Sequence, residues 1–297
     1  MDFKNIFKYI YHMEVTLKER VNTNRLNKLI EHEALSEEER KQLKAYRKKV
    51  SKQNQTVEVN YTQRLEMGRL YAEKSLSLQN FSKPIRHTLA HDSKIDIDIV
   101  NCHPVLLSQY CHKKGIICDK LDHYNEHREM LLSELMECCK CSRGEAKRLV
   151  LMLMYLSTVG EACVKIGISV PPPEWLDELE EHLKQLAEMI VALNPEIFKK
   201  VSTSRSKEHT NKKASCVSYV LQNIENDLIC NARQWLNEHE FNVETLCFDG
   251  CLIENNKTPT KDDLDQLQGH CHQKTGYNVR FELKPMTEGL NVDDADD

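Results

Sequence analysis

Ile95-Asp96-Ile97-Asp98-Ile99-Val100-Asn101-Cys102-His103-Pro104 alternates apolar and polar residues from Ile95 to Ile99, the period-two signature of a half-buried strand. On such a strand Asp96 and Asp98 point to one face. Pro104 cannot donate to a sheet ladder, so the strand ends near it. Far downstream, Val243-Glu244-Thr245-Leu246-Cys247-Phe248-Asp249-Gly250-Cys251-Leu252-Ile253-Glu254 reads as two short strands folded about Asp249-Gly250, a tight-turn dipeptide. A carboxylate at one strand end and another in a hairpin tip is what a divalent-cation site needs from discontinuous sequence. Most strand-end and turn aspartates are merely solvated, so the rest of the chain must decide.

The 297 residues suffice for a substantial core, in one large domain or two. A hydrophobic fraction of 40% and a charged fraction of 29% are those of a globular protein, and no apolar run approaches the ~20 residues of a membrane span. Met1-Asp2-Phe3-Lys4 opens an amphipathic segment with neither an apolar run nor a small-residue cleavage site, which argues against export. Among 12 cysteines, Cys138, Cys139 and Cys141 crowd together, and Cys102-His103, Cys111-His112 and Cys271-His272 are adjacent pairs. None has the spacing of a zinc motif. Reduced thiols of an intracellular protein are the expectation. The net charge of −5 owes much to the tail Asp293-Asp294-Ala295-Asp296-Asp297, whereas basic residues cluster at 40–53 and at Lys199–Lys213. Either basic cluster is a solvated face or a path for a phosphate backbone.

Residues 10–52, rich in Leu, Glu, Lys and Arg, predict helix, with a capping box at Ser36–Glu39. Val57–Tyr61 alternates as a strand, and Met67–Tyr71 follows as a second short segment. Val105–Lys113 and residues 119–140 predict helices. Ser142-Arg143-Gly144-Glu145 is a second capping box, and Arg143, Lys147, Leu151 and Tyr155 fall at steps of four, one stripe of a helix. Basic residues in a first turn oppose the helix dipole, so an anionic ligand there would be a favourable partner; a plain solvated basic face is the alternative. After Pro171-Pro172-Pro173 come a long helix over Glu174–Leu193, a polar and mobile Lys199–Lys213, and a long helix over Ser215–Glu240. A helix over 260–274 and a strand over Val279–Leu283 close the chain.

Together these stretches resemble the polymerase domain of family A DNA polymerases, the bacterial repair-polymerase family. Gly68-Arg69-Leu70, then Leu78-Gln79-Asn80 and Ile85-Arg86, resemble that family's entry to the palm. Asp98–His103 resembles motif A, and Arg143, Lys147 and Tyr155 reproduce motif B, RxxxKxxxxxxxY. Leu221-Gln222, with Asp227 five residues after the glutamine, resembles the helix between motifs B and C; Phe248-Asp249-Gly250 falls where motif C stands. The ordered set spans about residues 60–290.

The resemblance implies an α+β right-hand fold: an antiparallel palm sheet, helical fingers and a shortened helical thumb. It sets a reduced thumb at 1–54, palm at 55–110 and 213–297, and fingers at 111–212 with the motif B helix at 142–156. It implies addition of dNTPs to a primer 3′ end by a two-metal-ion mechanism in DNA replication or repair. The partners would be primer–template DNA and nucleoside triphosphates. Asp98 and Asp249 would bind two Mg²⁺ ions, with Mn²⁺ as substitute. Lys147 would act in catalysis, and with Arg143 would take the triphosphate. Leu151, Tyr155 and His103 would face the incoming nucleotide, and Arg69, Gln79, Asn80, Arg86 and Gln222 the nucleic acid. With about 55 residues before the first palm strand, no proofreading and low processivity are expected, and any processivity partner is left open.

Departures from the family pattern bear on this expectation. Gly250 stands where motif C has a glutamate, with Asp96 or Glu254 as substitutes, and Phe248 replaces its histidine. Leu151 replaces the usual aromatic, and His103 aligns with the steric-gate glutamate, which leaves the choice between deoxy- and ribonucleotides open. The rival readings are a primer-independent primase or RNA polymerase on the same palm, a nucleic-acid-binding protein with a decayed metal site, and a generic α+β protein.

Overall fold

Among the described residues, four strands meet around the Ile95–Ile99 alternation. β4 (Lys94–Ile99) lies between β6 (Gly250–Glu254) and β7 (Phe281–Lys284), and β5 (Val243–Leu246) adds to the far side of β6. The computed structural model describes residues 14–204 and 210–292. The N-terminal Met1–Lys4, the acidic tail and part of the Lys199–Lys213 cluster therefore lie outside the described residues. The chain divides into two units, one running to Val100 and resuming at Glu225, the other Asn101–Ile224.

In the first unit a second sheet orders β1 (Val15–Arg20), β2 (Thr56–Gln63) and β3 (Leu70–Ala72). Every ladder among the described residues is antiparallel. α1 (Thr23–Ile30), α2 (Glu37–Lys49) and α3 (Lys83–Ala90) belong to this unit. Leu26, Leu29, Leu43 and Tyr46 are fully buried, and Tyr46 meets Phe81 edge-on at 5.0 Å.

The expected helix over 10–52 is corrected at its start, since Val15–Arg20 is a strand. Val15, Leu17 and Glu19 point inward, and a carboxylate at the third inward position hid the period-two pattern. Buried Glu19 accepts from the hydroxyls of Tyr46 (2.7 Å), Ser77 (2.5 Å) and Thr245 (3.1 Å) and from the Leu78 N–H (3.1 Å). Burial still raises its pKa above the usual carboxylate value, so these donors offset desolvation only in part. Beside it, buried Lys94 pairs with buried Glu244, which also accepts from Arg20 Nε at 2.8 Å.

The second unit, taken alone, is helical: α4 (Cys102–Lys113), α5 (Asp119–Glu126), α6 (Arg128–Cys139), α7 (Arg143–Met154), α8 (Val159–Ile166), α9 (Trp175–Leu193) and α10 (Pro195–Thr203). α11 (Lys212–Glu238) then carries the chain back to the first unit, where α12 (Lys261–Thr275) follows β6. The single helix expected over 119–140 is two, broken at His127. Lys199–Thr203, expected to be mobile, is the end of α10. Pro104 lies within the first turn of α4, where its missing N–H has no intrahelical partner to lose. Among the described residues no helix is long and apolar enough to cross a membrane.

Candidate active site

Register brings the two predicted aspartates together. Asp98 on β4 lies opposite Gly250 on β6, and the Ile99 N–H donates to the Asp249 carbonyl at 3.0 Å. The hairpin differs from the Asp249-Gly250 turn expected from sequence. Cys247 and Gly250 exchange hydrogen bonds of 2.8 and 3.2 Å, so Phe248 and Asp249 are the turn's central pair. Phe248 takes the left-handed region at φ 62°, a conformation that costs a non-glycine residue roughly 1–2 kcal/mol. Its ring is held edge-on to Tyr71 at 5.7 Å and under the Arg69 guanidinium at 4.9 Å.

Gly250 serves space rather than the turn. A Cβ there would sit 2.5 Å from the Ile97 carbonyl and 2.7 Å from Asp98 Oδ1. No glutamate fits where the family pattern has one. Of its two suggested substitutes, Glu254 is paired with Lys94 at the far end of the same ladder, roughly 13 Å along the strand from Gly250, and it is tied to Arg20. Asp96 shares the face of Asp98 and lies opposite Lys284 on β7.

The electrostatics mark this face as crowded with negative charge. Burial, then the charge of Asp249, pushes Asp98 up to about 7, although Lys284 contacts its carboxylate and pulls the other way. Burial, then Glu225, raises Asp249; burial raises Asp96, with Asp249 adding to it. Carboxylates held against their own repulsion are poised for a cation. Hard oxygen donors in this arrangement fit Mg²⁺ or Mn²⁺. Lys284 Nζ is the protein's own positive group at that place.

Lys284 and Glu225 were missed in the sequence. Glu225, fully buried, is held by Arg69 in a two-pronged pair of 2.6 and 2.7 Å. It falls in the series Val217, Leu221, Glu225, Leu228, an acid in an apolar helical stripe, and that anomaly was readable. Arg69, expected to follow nucleic acid, is thus committed to Glu225 and Phe248. Gln79 departs from its expected contact with nucleic acid as well. It is buried, accepts from the Ala72 N–H (2.9 Å), and donates to the carbonyls of Leu70 (3.0 Å) and Leu246 (2.8 Å). Its amide is spent on joining β3 to β5. Asn80 and Arg86 are half-buried, and Arg86 lies near enough to Asp96 to lower its pKa.

In the second unit, α7 starts at the predicted capping box, with Ser142 accepting from the Glu145 N–H at 3.3 Å. Arg143 donates to Glu129 at 2.7 and 2.8 Å, and the Lys147 charge also lowers the Glu129 pKa. Leu151 is 40% exposed on the same stripe. At the end of α7 the Tyr155 hydroxyl meets His103 Nδ1 of α4, so the residue aligned with the steric gate is held by the motif B tyrosine. Gln222 donates to Ser218 Oγ at 2.8 Å.

No known family's sequence profile matches the chain. Protein V13 of Sputnik virophage, which is named as a helicase without that having been established, is 32% identical over 298 residues. The match takes in 94% of this chain but 37% of V13. The polymerase domain of Pol1 from M. smegmatis, solved with DNA primer–template and dNTP, superposes with a TM-score of 0.56 at 11% identity. It covers 88% of this chain and 55% of that one. The chain therefore has a polymerase-like fold of mixed helix and antiparallel sheet.

Proposed function

We propose that the protein is a template-directed nucleotidyltransferase of the family A type that adds nucleotides to a primer 3′ end. The observation that carries this is the convergence of Asp98, on β4, and Asp249, in the turn that leads into the neighbouring β6 and some 150 residues away in sequence, within a polymerase-like fold. Asp98 and Asp249, with Asp96 beside them, would hold divalent cations. Bound there, Mg²⁺ supplies charge neutralisation of the attacking and leaving oxygens. Gly250 leaves Asp98 room to face Asp249. Arg69 and Glu225 brace the Phe248–Asp249 turn from behind. Arg143 and Lys147 would bind the triphosphate, which would displace Glu129 from Arg143. His103, fixed by Tyr155, would press on the sugar.

The helicase name of V13 does not transfer readily. This chain has no GxxxxGK[ST] run, and the strand pairs among its described residues are antiparallel, where nucleotide-driven motors use parallel α/β sheets. The matched stretch is 37% of V13, so the name given to the whole of V13 need not describe this stretch.

Extension of a labelled primer on a DNA template, with Mg²⁺ and either dNTPs or rNTPs, tests the proposal. Activity present in wild type and lost in Asp98→Ala and Asp249→Ala supports it; no product from either nucleotide set, with or without primer, rejects it. Products formed without primer from rNTPs would select the primase reading.

A further inference from the structure

The turn between α4 and α5 brings three different metal-binding side chains together. α4 ends at Lys113, Gly115 takes φ 67°, and the Ile116 N–H returns to the Cys111 carbonyl at 2.9 Å. This reversal folds Cys118 back against the last turn of α4, and α5 then presents Asp122. His112 Nε2 lies 2.9 Å from Asp122 Oδ2, and Cys118 Sγ lies 3.4 Å from both Asp122 oxygens. One ligand atom from each of the three falls within 4.8 Å of the others. Tetrahedral zinc, with bonds of roughly 2.0–2.3 Å, needs ligand atoms about 3.2–3.8 Å apart.

The surroundings favour a metal over a simple hydrogen-bond cluster. Ser108 Oγ donates to Asp122 Oδ1 at 2.6 Å, the kind of outer contact that orients a ligating carboxylate. His112 is exposed, so water can complete the tetrahedron that three protein ligands begin. All 12 cysteines are free thiols. The His112-Cys118-Asp122 spacing matches no familiar zinc motif, which is why the sequence argued against one.

We propose that His112, Cys118 and Asp122, with water in the fourth position, form a Zn²⁺ site that staples α4 to α5. Binding expels the Cys118 thiol proton to solvent and leaves a thiolate on the metal, with Asp122 bound as a carboxylate and His112 through Nε2 as neutral imidazole. The site lies wholly in the second unit and does not depend on the function proposed above.

The test uses the full chain, stripped by chelator under reducing conditions and titrated with Co²⁺. The expected result is one Co²⁺ per chain, with a thiolate-to-cobalt charge-transfer band and tetrahedral visible bands, both displaced by one equivalent of Zn²⁺. Cys118→Ser should remove the charge-transfer band. His112→Gln, whose side chain is 58% exposed, should keep the circular dichroism of the wild type and weaken binding at least tenfold. Cys138→Ser, an exposed thiol outside the cluster, should change nothing. Absence of a thiolate band, or unchanged affinity and spectrum in both Cys118→Ser and His112→Gln, overturns the proposal.

Discussion

Lys284 sets the behaviour of the aspartate face when no metal is bound. Its ammonium contacts Asp98 and lies near Asp96 and Asp249, so a divalent cation must compete with it. Lys284→Met should lower the Mg²⁺ concentration that gives half-maximal thermal stabilisation several-fold, read by melting the protein across a Mg²⁺ series. An unchanged midpoint would mean that Lys284 does not compete. Asp98 itself gives a pH signature. Its folded pKa, pushed to about 7 by burial and by Asp249, lies above an unfolded value near ~3.9. Stability from the protonated form is thus full below pH ~4 and is lost as pH rises through about 7. Asp98→Asn keeps the neutral form, so in chelator its stability advantage over wild type should widen between these limits and then level off. Urea melts at several pH values read this directly, and a gap that narrows with pH would contradict it. Gly250→Ala should cost about 1–3 kcal/mol in the same melts, because its Cβ meets backbone as well as Asp98.

Elements divide by how local their instructions are. β4 was legible because Ile95, Ile97 and Ile99 alternate with polar residues, and α7 because Ser142 and Glu145 form their capping box within four residues of sequence. β1 was not, because its inward carboxylate Glu19 draws its partners from Tyr46, Ser77, Leu78 and Thr245, none of which local patterning can supply. The same holds at the site: Asp98 and Asp249 announced themselves by strand and turn, whereas Lys284 and Glu225 acquire meaning only once register and helix packing set them beside those carboxylates. Gly250 was visible as a departure, but its reason, the Ile97 carbonyl across the ladder, was not. These elements should also fail differently. Glu19→Ala leaves four hydroxyls, those of Tyr46, Tyr61, Ser77 and Thr245, and the Leu78 N–H without this acceptor, and should cost about 3–5 kcal/mol. Ser142→Ala removes one cap and should cost about 1 kcal/mol. Denaturant unfolding of the two variants side by side checks the ranking, and near-equal losses would show that the Glu19 donors find other partners.

At the scale of the whole molecule, the sheet that carries the aspartates is assembled from distant parts of the chain. β4 takes one neighbour from Gly250–Glu254 and the other from Phe281–Lys284, and Gln79 and Glu19 reach across to β5. Contacts of such sequence separation form late and only together, since loop closure must precede their gain. The second unit, by contrast, is one continuous stretch, Asn101–Ile224, whose α4–α10 bury Leu106, Leu121, Leu135, Leu149 and Leu176 to 0% exposure. A fragment of residues 101–224 should therefore show helical circular dichroism and a cooperative melt by itself, apart from fraying where α11 is cut. A fragment of residues 1–100 should not, because β4 would leave both edges unpaired while Ile97 and Ile99 lost their cover. Adding residues 225–297 in trans should restore protection of the β4 amides in hydrogen exchange, since that segment supplies both missing neighbours. If the 1–100 fragment folds cooperatively without it, the sheet is not the unit of stability that its register implies. The aspartate pair would then have to be regarded as assembled on a preformed β4 rather than together with it.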